Sequence, residues 1–110
     1  MPRAVLVVVT NCSDPAREAE FNDWYTNTHV PDILQLPGFV AATRYEIVGQ
    51  PRQGQGKFLA LYEMEAEEPA AALAGVWKAV PELTARGRMF DGLELVYAAA
   101  YQPITERITA

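Results

Sequence analysis

Residues 20–39 read EFNDWYTNTHVPDILQLPGF, and they hold the only histidine of the chain, His29. Imidazole is the one side chain whose ordinary titration falls near neutral pH, so it is the first candidate for taking up or giving back a proton. On a helix of about 100° per residue, His29 lies at the border of the apolar stripe, on the side of Tyr25 and Asn22. A helix C-terminus favours its protonated form. Asp32, one turn on, is within reach to hydrogen-bond the ring and fix its tautomer, and Tyr25 can position a substrate oxygen. The competing reading is purely structural: a histidine that caps the last carbonyls of its helix.

Other residue types widen the candidate site. Trp24 and Tyr25 sit at core spacing on the helix. Tyr45, Tyr62, Tyr97 and Tyr101 fall on strand-like runs. Tyrosines such as Tyr62 and Tyr97 offer a flat apolar wall and a hydroxyl that orients an oxygen. Arg44 is the one internal cation of the sheet. It can pair with Glu46 or Glu63 on an exposed face, or hold an anionic or enolate oxygen. Asn22 and Trp24 complete the expected substrate-binding set of Asn22, Trp24, Arg44, Tyr62 and Tyr97. The lone Cys12 reads as a small residue in a strand-to-helix loop rather than a nucleophile. One Cys and one His lack zinc-site spacing, so no metal site is expected. GQPRQGQG joins two strands without Lys-Ser or Lys-Thr, and no Gly-x-Ser-x-Gly is present, so no nucleotide cofactor and no serine-hydrolase elbow are expected.

The 110 residues fit a single domain, 1–110, and half of them are apolar, which suffices for one core. The net charge of −5 argues against nucleic acid and against an anionic membrane surface. Apolar runs such as AVLVVV and YAAAY are far short of the roughly 20 residues that span a bilayer. No signal peptide is evident, and a single cysteine makes no internal disulfide, so a cytoplasmic location is expected.

The elements that must position these groups follow from periodicity. RAVLVVVT (3–10) is a strand with apolar residues at both parities. Asp14 and Pro15 suit an N-cap and first helical position. Phe21, Trp24, Tyr25 and Thr28 then form the buried stripe, and Pro31 should stop or kink the helix beside His29. Pro37-Gly38 marks a turn with Gly38 at positive φ. Strands follow at 39–48 and 57–65, a helix at about 68–87 that Pro81 should break in two, and a last strand at 92–104. The order βαββαβ predicts an α+β, ferredoxin-like fold: a four-stranded antiparallel sheet with two helices on one face. Strand 4 places Leu93, Leu95, Tyr97 and Tyr101 on one side and Val96, Ala98 and Ala100 on the other. An apolar second face needs a cover, and a homodimer with the two sheets facing each other is expected.

Phe21, Trp24-Tyr25, His29-Val30-Pro31 and Leu36-Pro37-Gly38-Phe39 together resemble the dimeric α/β-barrel superfamily, and most closely its EthD-like group. The resemblance implies a ferredoxin-like subunit, a sheet-to-sheet dimer and a cleft between helix and sheet. It maps the family's motif histidine onto His29 and its aromatic pair onto Trp24 and Tyr25. Relatives in that superfamily include polyketide cyclases, isomerases and cofactor-free monooxygenases acting on small hydrophobic molecules. Two departures stand out. The histidine that plant polyketide cyclases place near the end of the second helix has no counterpart in WKAVPELTARGRMF. Asn22, Trp24 and Tyr25 supply the residue types of the monooxygenases, but on the first helix. The expected activity is general acid/base proton transfer without a cofactor on a small hydrophobic carbonyl or phenolic compound, of cyclase or isomerase type. His29, Tyr25 and Asp32 are its candidate catalytic residues. A cofactor-free monooxygenase or a non-catalytic binder are the alternatives.

Overall fold

The computed structural model describes residues 2–110. Its elements are β1 (Arg3–Cys12), α1 (Glu18–Trp24), a π-helical turn (Tyr25–His29), α2 (Val30–Leu34), β2 (Phe39–Glu46), β3 (Phe58–Glu65), α3 (Pro69–Ala85) and β4 (Leu93–Tyr101). The four strands form one antiparallel sheet in the order β2-β3-β1-β4. This is the expected α+β, ferredoxin-like arrangement, with β2 and β4 at the edges.

Alternation along the strands divides the sheet. Ala4, Leu6 and Thr10 of β1 and Phe58, Ala60, Tyr62 and Met64 of β3 are buried on the helix side. They pack with Phe21, Tyr25, Ile33, Val76 and Leu83 of the helices in one core. Each fully buried large apolar side chain contributes roughly 1.5–3 kcal/mol, so Phe21 and Ile33 alone hold the first helical segment firmly to the sheet. The other face carries Val5, Val7, Val9, Leu59 and Leu61, with Val40, Tyr45, Tyr97 and Tyr101 exposed.

Local signals behave as the sequence dictates in several places. Asp14 Oδ1 accepts from the Ala16 N–H at 3.0 Å, with Pro15 opening a short 3-10 turn. Gly38 has φ +93°, and a Cβ there would meet the Ala72 and Ala66 methyls at 3.0 and 3.3 Å. Both a left-handed backbone and a close approach therefore require glycine at this turn.

Three expectations are corrected. The first helix does not stop at His29: the Val30 N–H bonds the Tyr25 carbonyl, five residues back, and the chain passes through a π turn into α2 despite Pro31. The widened turn accommodates a residue that has no N–H to give. Pro81 does not split α3, which runs unbroken from Pro69 to Ala85. Pro81 is exposed, so the carbonyl left without its usual donor is open to water. Leu93 does not share a face with Tyr97: a register shift in the β1–β4 pairing between Val9 and Thr10 puts it opposite Cys12, packed against the core, while Tyr97 faces Val9 and Tyr101 faces Val5.

Candidate functional site

The end of α1, the π turn and strands β2 and β3 bring six of the expected residues together: Asn22, Trp24, Tyr25, His29, Arg44 and Tyr62. Tyr25 lies at the centre, buried under the turn. His29, only 7 % exposed, meets the Tyr25 ring edge-on at 5.0 Å between centroids and stacks on Trp24 at 4.9 Å. The Trp24 indole is itself fixed, because its Nε1–H donates to the Arg88 carbonyl at 2.8 Å. The i, i+4 relation of Tyr25 and His29 thus becomes a shared buried face.

Arg44 arrives from the β2 edge. A register shift between Phe39 and Ala41 sets Ala42 opposite Tyr62 and Arg44 opposite Ala60, which is the helix side. The reading of Arg44 as an exposed partner of Glu46 or Glu63 is therefore corrected. Its guanidinium sits 4.4 Å from the Tyr25 ring centroid, a cation–π distance. Arg44 Nη2 donates to Asn22 Oδ1 at 2.9 Å, and Nη1 donates to Thr26 Oγ1 at 3.1 Å and to the Asn22 carbonyl at 3.4 Å. Asn22 thus serves to hold Arg44. Thr26, four residues further along, does the same and was not singled out by sequence; the signal available was the i, i+4 spacing of two polar side chains on one helix side.

Three buried side-chain atoms in this cluster have no hydrogen-bond partner: His29 Nδ1, Arg44 Nε and Tyr62 Oη. Buried polar groups are nearly always satisfied, so three in one cluster set this place apart from the rest of the core. Burial pushes the His29 imidazole down to about 4; Asp32 pulls the other way, and the Arg44 cation adds a further downward push. The ring is therefore neutral at pH 7. Burial raises the Tyr25 and Tyr62 phenols; the two neighbouring hydroxyls also act on each other, lowering Tyr25 and raising Tyr62 further, while Arg44 works against the rise at both. Burial also lowers the Arg44 guanidinium, and the two tyrosines oppose it. At neutral pH the cluster presents a neutral imidazole, two neutral phenols and one cation.

Two expected members stand apart. Asp32 gives both carboxylate oxygens to Arg88, at 2.7 and 3.0 Å, and so acts on His29 through its charge rather than by a hydrogen bond. Arg88 lies 56 positions away in sequence, and no spacing rule pointed to it. Tyr97 lies on the opposite sheet face, where its hydroxyl meets that of Tyr101. Cys12 is buried at the end of β1, its thiol donating to the Asp14 carbonyl at 3.1 Å.

Surface hollows lie beside Trp24 and on the far face of the sheet, and these are not lined by His29, Arg44 or Tyr62. One of about 500 Å3 is lined by Arg17, Trp24, Thr28 and the Arg86–Asp91 segment, so Trp24 stands between it and His29. Another of about 420 Å3 lies on the open sheet face between Tyr45, Leu59 and Tyr97. Among the described residues no group of three or more His, Cys, Asp or Glu side chains is placed to hold a metal ion, and no helix is long and apolar enough to cross a membrane.

Residues 4–76 match the model of the family described as "Domain of unknown function (DUF4286)", and the chain belongs to that family. No curated protein sequence matches it. Among solved structures it is similar to an EthD-like protein from Ralstonia eutropha (10 % identity, TM-score 0.62, covering 97 % of this chain and 96 % of that one). A dimeric ferredoxin-like protein from an uncultured marine organism is also similar (11 % identity, TM-score 0.64, 97 % and 100 %). So is the monooxygenase ActVA-Orf6 of Streptomyces coelicolor in complex with nanaomycin D (19 % identity, TM-score 0.55, 99 % and 93 %). At these identities the likeness establishes the fold, the ferredoxin-like subunit that the resemblance implied.

Proposed function

We propose that this DUF4286 member is an enzyme that moves a proton on a small hydrophobic carbonyl or phenolic compound, using its own side chains and no cofactor, with a cyclisation or isomerisation as the overall reaction. The observation that carries the reading is the buried, neutral His29 with Nδ1 unpartnered beside Tyr25. Nδ1 takes the proton from an acidic C–H or O–H. The Tyr62 hydroxyl, also unpartnered, donates to the oxygen on which charge develops. Exclusion of water strengthens both interactions. Trp24 holds the imidazole plane by stacking, and Tyr25 walls the substrate.

The open sheet face supports a homodimer. Tyr97 and Tyr101 remain 45 % and 50 % exposed on a face that also carries Val5, Val7, Val9, Leu59 and Leu61, and a second copy covers such a face most simply.

A second reading is favoured by one comparison: ActVA-Orf6 is a monooxygenase, and its structure holds nanaomycin D. In that case the same base would ionise an electron-rich phenol for attack by oxygen. One assay separates the two. With an anthrone as substrate, oxygen uptake matched to turnover identifies the monooxygenase, and product formed without oxygen uptake identifies proton transfer alone. Under either reading His29→Gln lowers turnover about a hundredfold or more with the fold intact. A ligand bound and recovered unchanged, by wild type and variant alike, refutes catalysis.

A further inference from the structure

The cations of this chain are paired in an order opposite to the one burial requires. Arg17, Lys57 and Arg88 lie toward the surface and each contacts a carboxylate: Glu20 and Asp91, Glu18, and Asp32 respectively. Arg44 is half-buried, the only one of the four for which loss of solvent is the largest influence on its titration, and among the described residues it forms no ion pair. Its hydrogen-bond acceptors, Asn22 and Thr26, are neutral, and its Nε–H is buried with no acceptor at all. Buried charges are ordinarily paired, because an isolated one is costly to desolvate. The Tyr25 ring at 4.4 Å offsets part of that cost and cannot supply a counter-charge.

Resting on the reading of this cluster as the substrate site, we propose that the ligand binds there as an anion: a flat, conjugated oxygen acid whose ionised oxygen supplies the counter-charge missing beside Arg44. That oxygen accepts from Arg44 Nε–H and Tyr62 Oη–H, the two buried donors without partners. The remaining unpartnered atom, His29 Nδ1, then meets a neighbouring acidic hydroxyl or C–H. Aromatic hydroxy acids and enolised 1,3-dicarbonyl compounds have this combination of one ionised oxygen and one further acidic hydrogen on a planar frame. The aromatic rings of Phe21, Tyr25 and Phe58, all within 6 Å of the guanidinium carbon, suit such a frame. Entry is along the β2 edge, where Arg44 spans from the sheet to exposed Thr26.

The test compares a charged ligand with its neutral counterpart. Calorimetric titration of the full chain at pH 7.5 uses 3-hydroxy-2-naphthoate and 3-hydroxy-2-naphthamide. The expected result is binding of the acid at least tenfold tighter than the amide, loss of that preference in Arg44→Gln, and its retention in the surface control Arg86→Gln. NMR of the single histidine gives a second measurement that needs no variant: the acid raises the midpoint of His29 titration, and the amide leaves it unchanged. Equal binding of both compounds by wild type refutes the anion assignment and leaves the reading of the cluster as the substrate site standing. Failure of both to bind refutes that reading with it. A preference that survives Arg44→Gln places the anion elsewhere.

Discussion

His29 sets a quantitative demand on stability. In the unfolded chain its imidazole titrates near 6.5, and in the folded protein burial holds it down to about 4. The unfolded state therefore binds the proton first as pH falls. Stability is full above about pH 6.5, is lost progressively between 6.5 and 4, and is flat with respect to this group below 4. That displacement is worth about 3 kcal/mol, a large share of the 5–15 kcal/mol by which a typical small domain is stable. Urea unfolding of wild type and His29→Gln at a series of pH values isolates it, because the carboxylates titrate alike in both and cancel in the difference. Any cost of the smaller side chain against Trp24 is constant with pH and drops out of the slope. Wild type should lose about 3 kcal/mol more than the variant between pH 7.5 and 4. The absence of any other histidine makes the companion NMR titration unambiguous. Parallel stability curves, with a ring titrating between 6 and 7, would mean a solvated imidazole and would remove the basis for its chemistry.

Tyr62→Phe deletes a buried hydroxyl that has no partner, so it should stabilise the ligand-free protein by roughly 1 kcal/mol in urea while lowering turnover; a loss of stability would show that the hydroxyl is satisfied. Gly38→Ala forces a side chain into φ +93° and against the Ala72 methyl at 3.0 Å, and should cost more than about 1 kcal/mol, seen as a lower urea midpoint. Sedimentation at micromolar concentration should give a dimer for wild type and a monomer for Val7→Lys with Tyr97→Glu. A monomeric wild type would refute the covering of the open face by a second copy.

How much of this was legible depended on whether a feature is local. Periodicity and turn chemistry carried the βαββαβ order, the Asp14-Pro15 start and the Gly38 turn, since each is decided by a few neighbouring residues. Faces were less legible, because a single extra residue in a ladder reverses everything beyond it. The shift near Val9 moved Leu93 to the core side, and the one near Phe39 directed Arg44 inward. The π turn has the same character: counting at 100° per residue left His29 at a border, and the widened turn buries it. Charge partners were least legible. Nothing within residues 20–39 indicates that Asp32 is claimed by Arg88 rather than by His29, because that choice is made only when the exit of α3 packs beside α2.

An imidazole that titrates near 4 is a weak base at pH 7, and this bears directly on how the site can work. Two of the three influences on it are fixed by the fold: burial, and the Asp32 charge held by Arg88. The third, the cation of Arg44, is the one a ligand can alter. An anion seated at Arg44 cancels the repulsion that the guanidinium exerts on protonated His29 and adds an attraction of its own, so the ring becomes more basic when the substrate is in place. The free protein keeps a neutral, unprotonated acceptor ready, and binding raises its affinity for the proton it is to receive. Arg44→Gln separates the two effects: it should raise the His29 midpoint in the free protein, by removing the cation, and abolish any further rise on adding the naphthoate. A ligand-free midpoint unchanged by this substitution would show that Arg44 and His29 do not share a site.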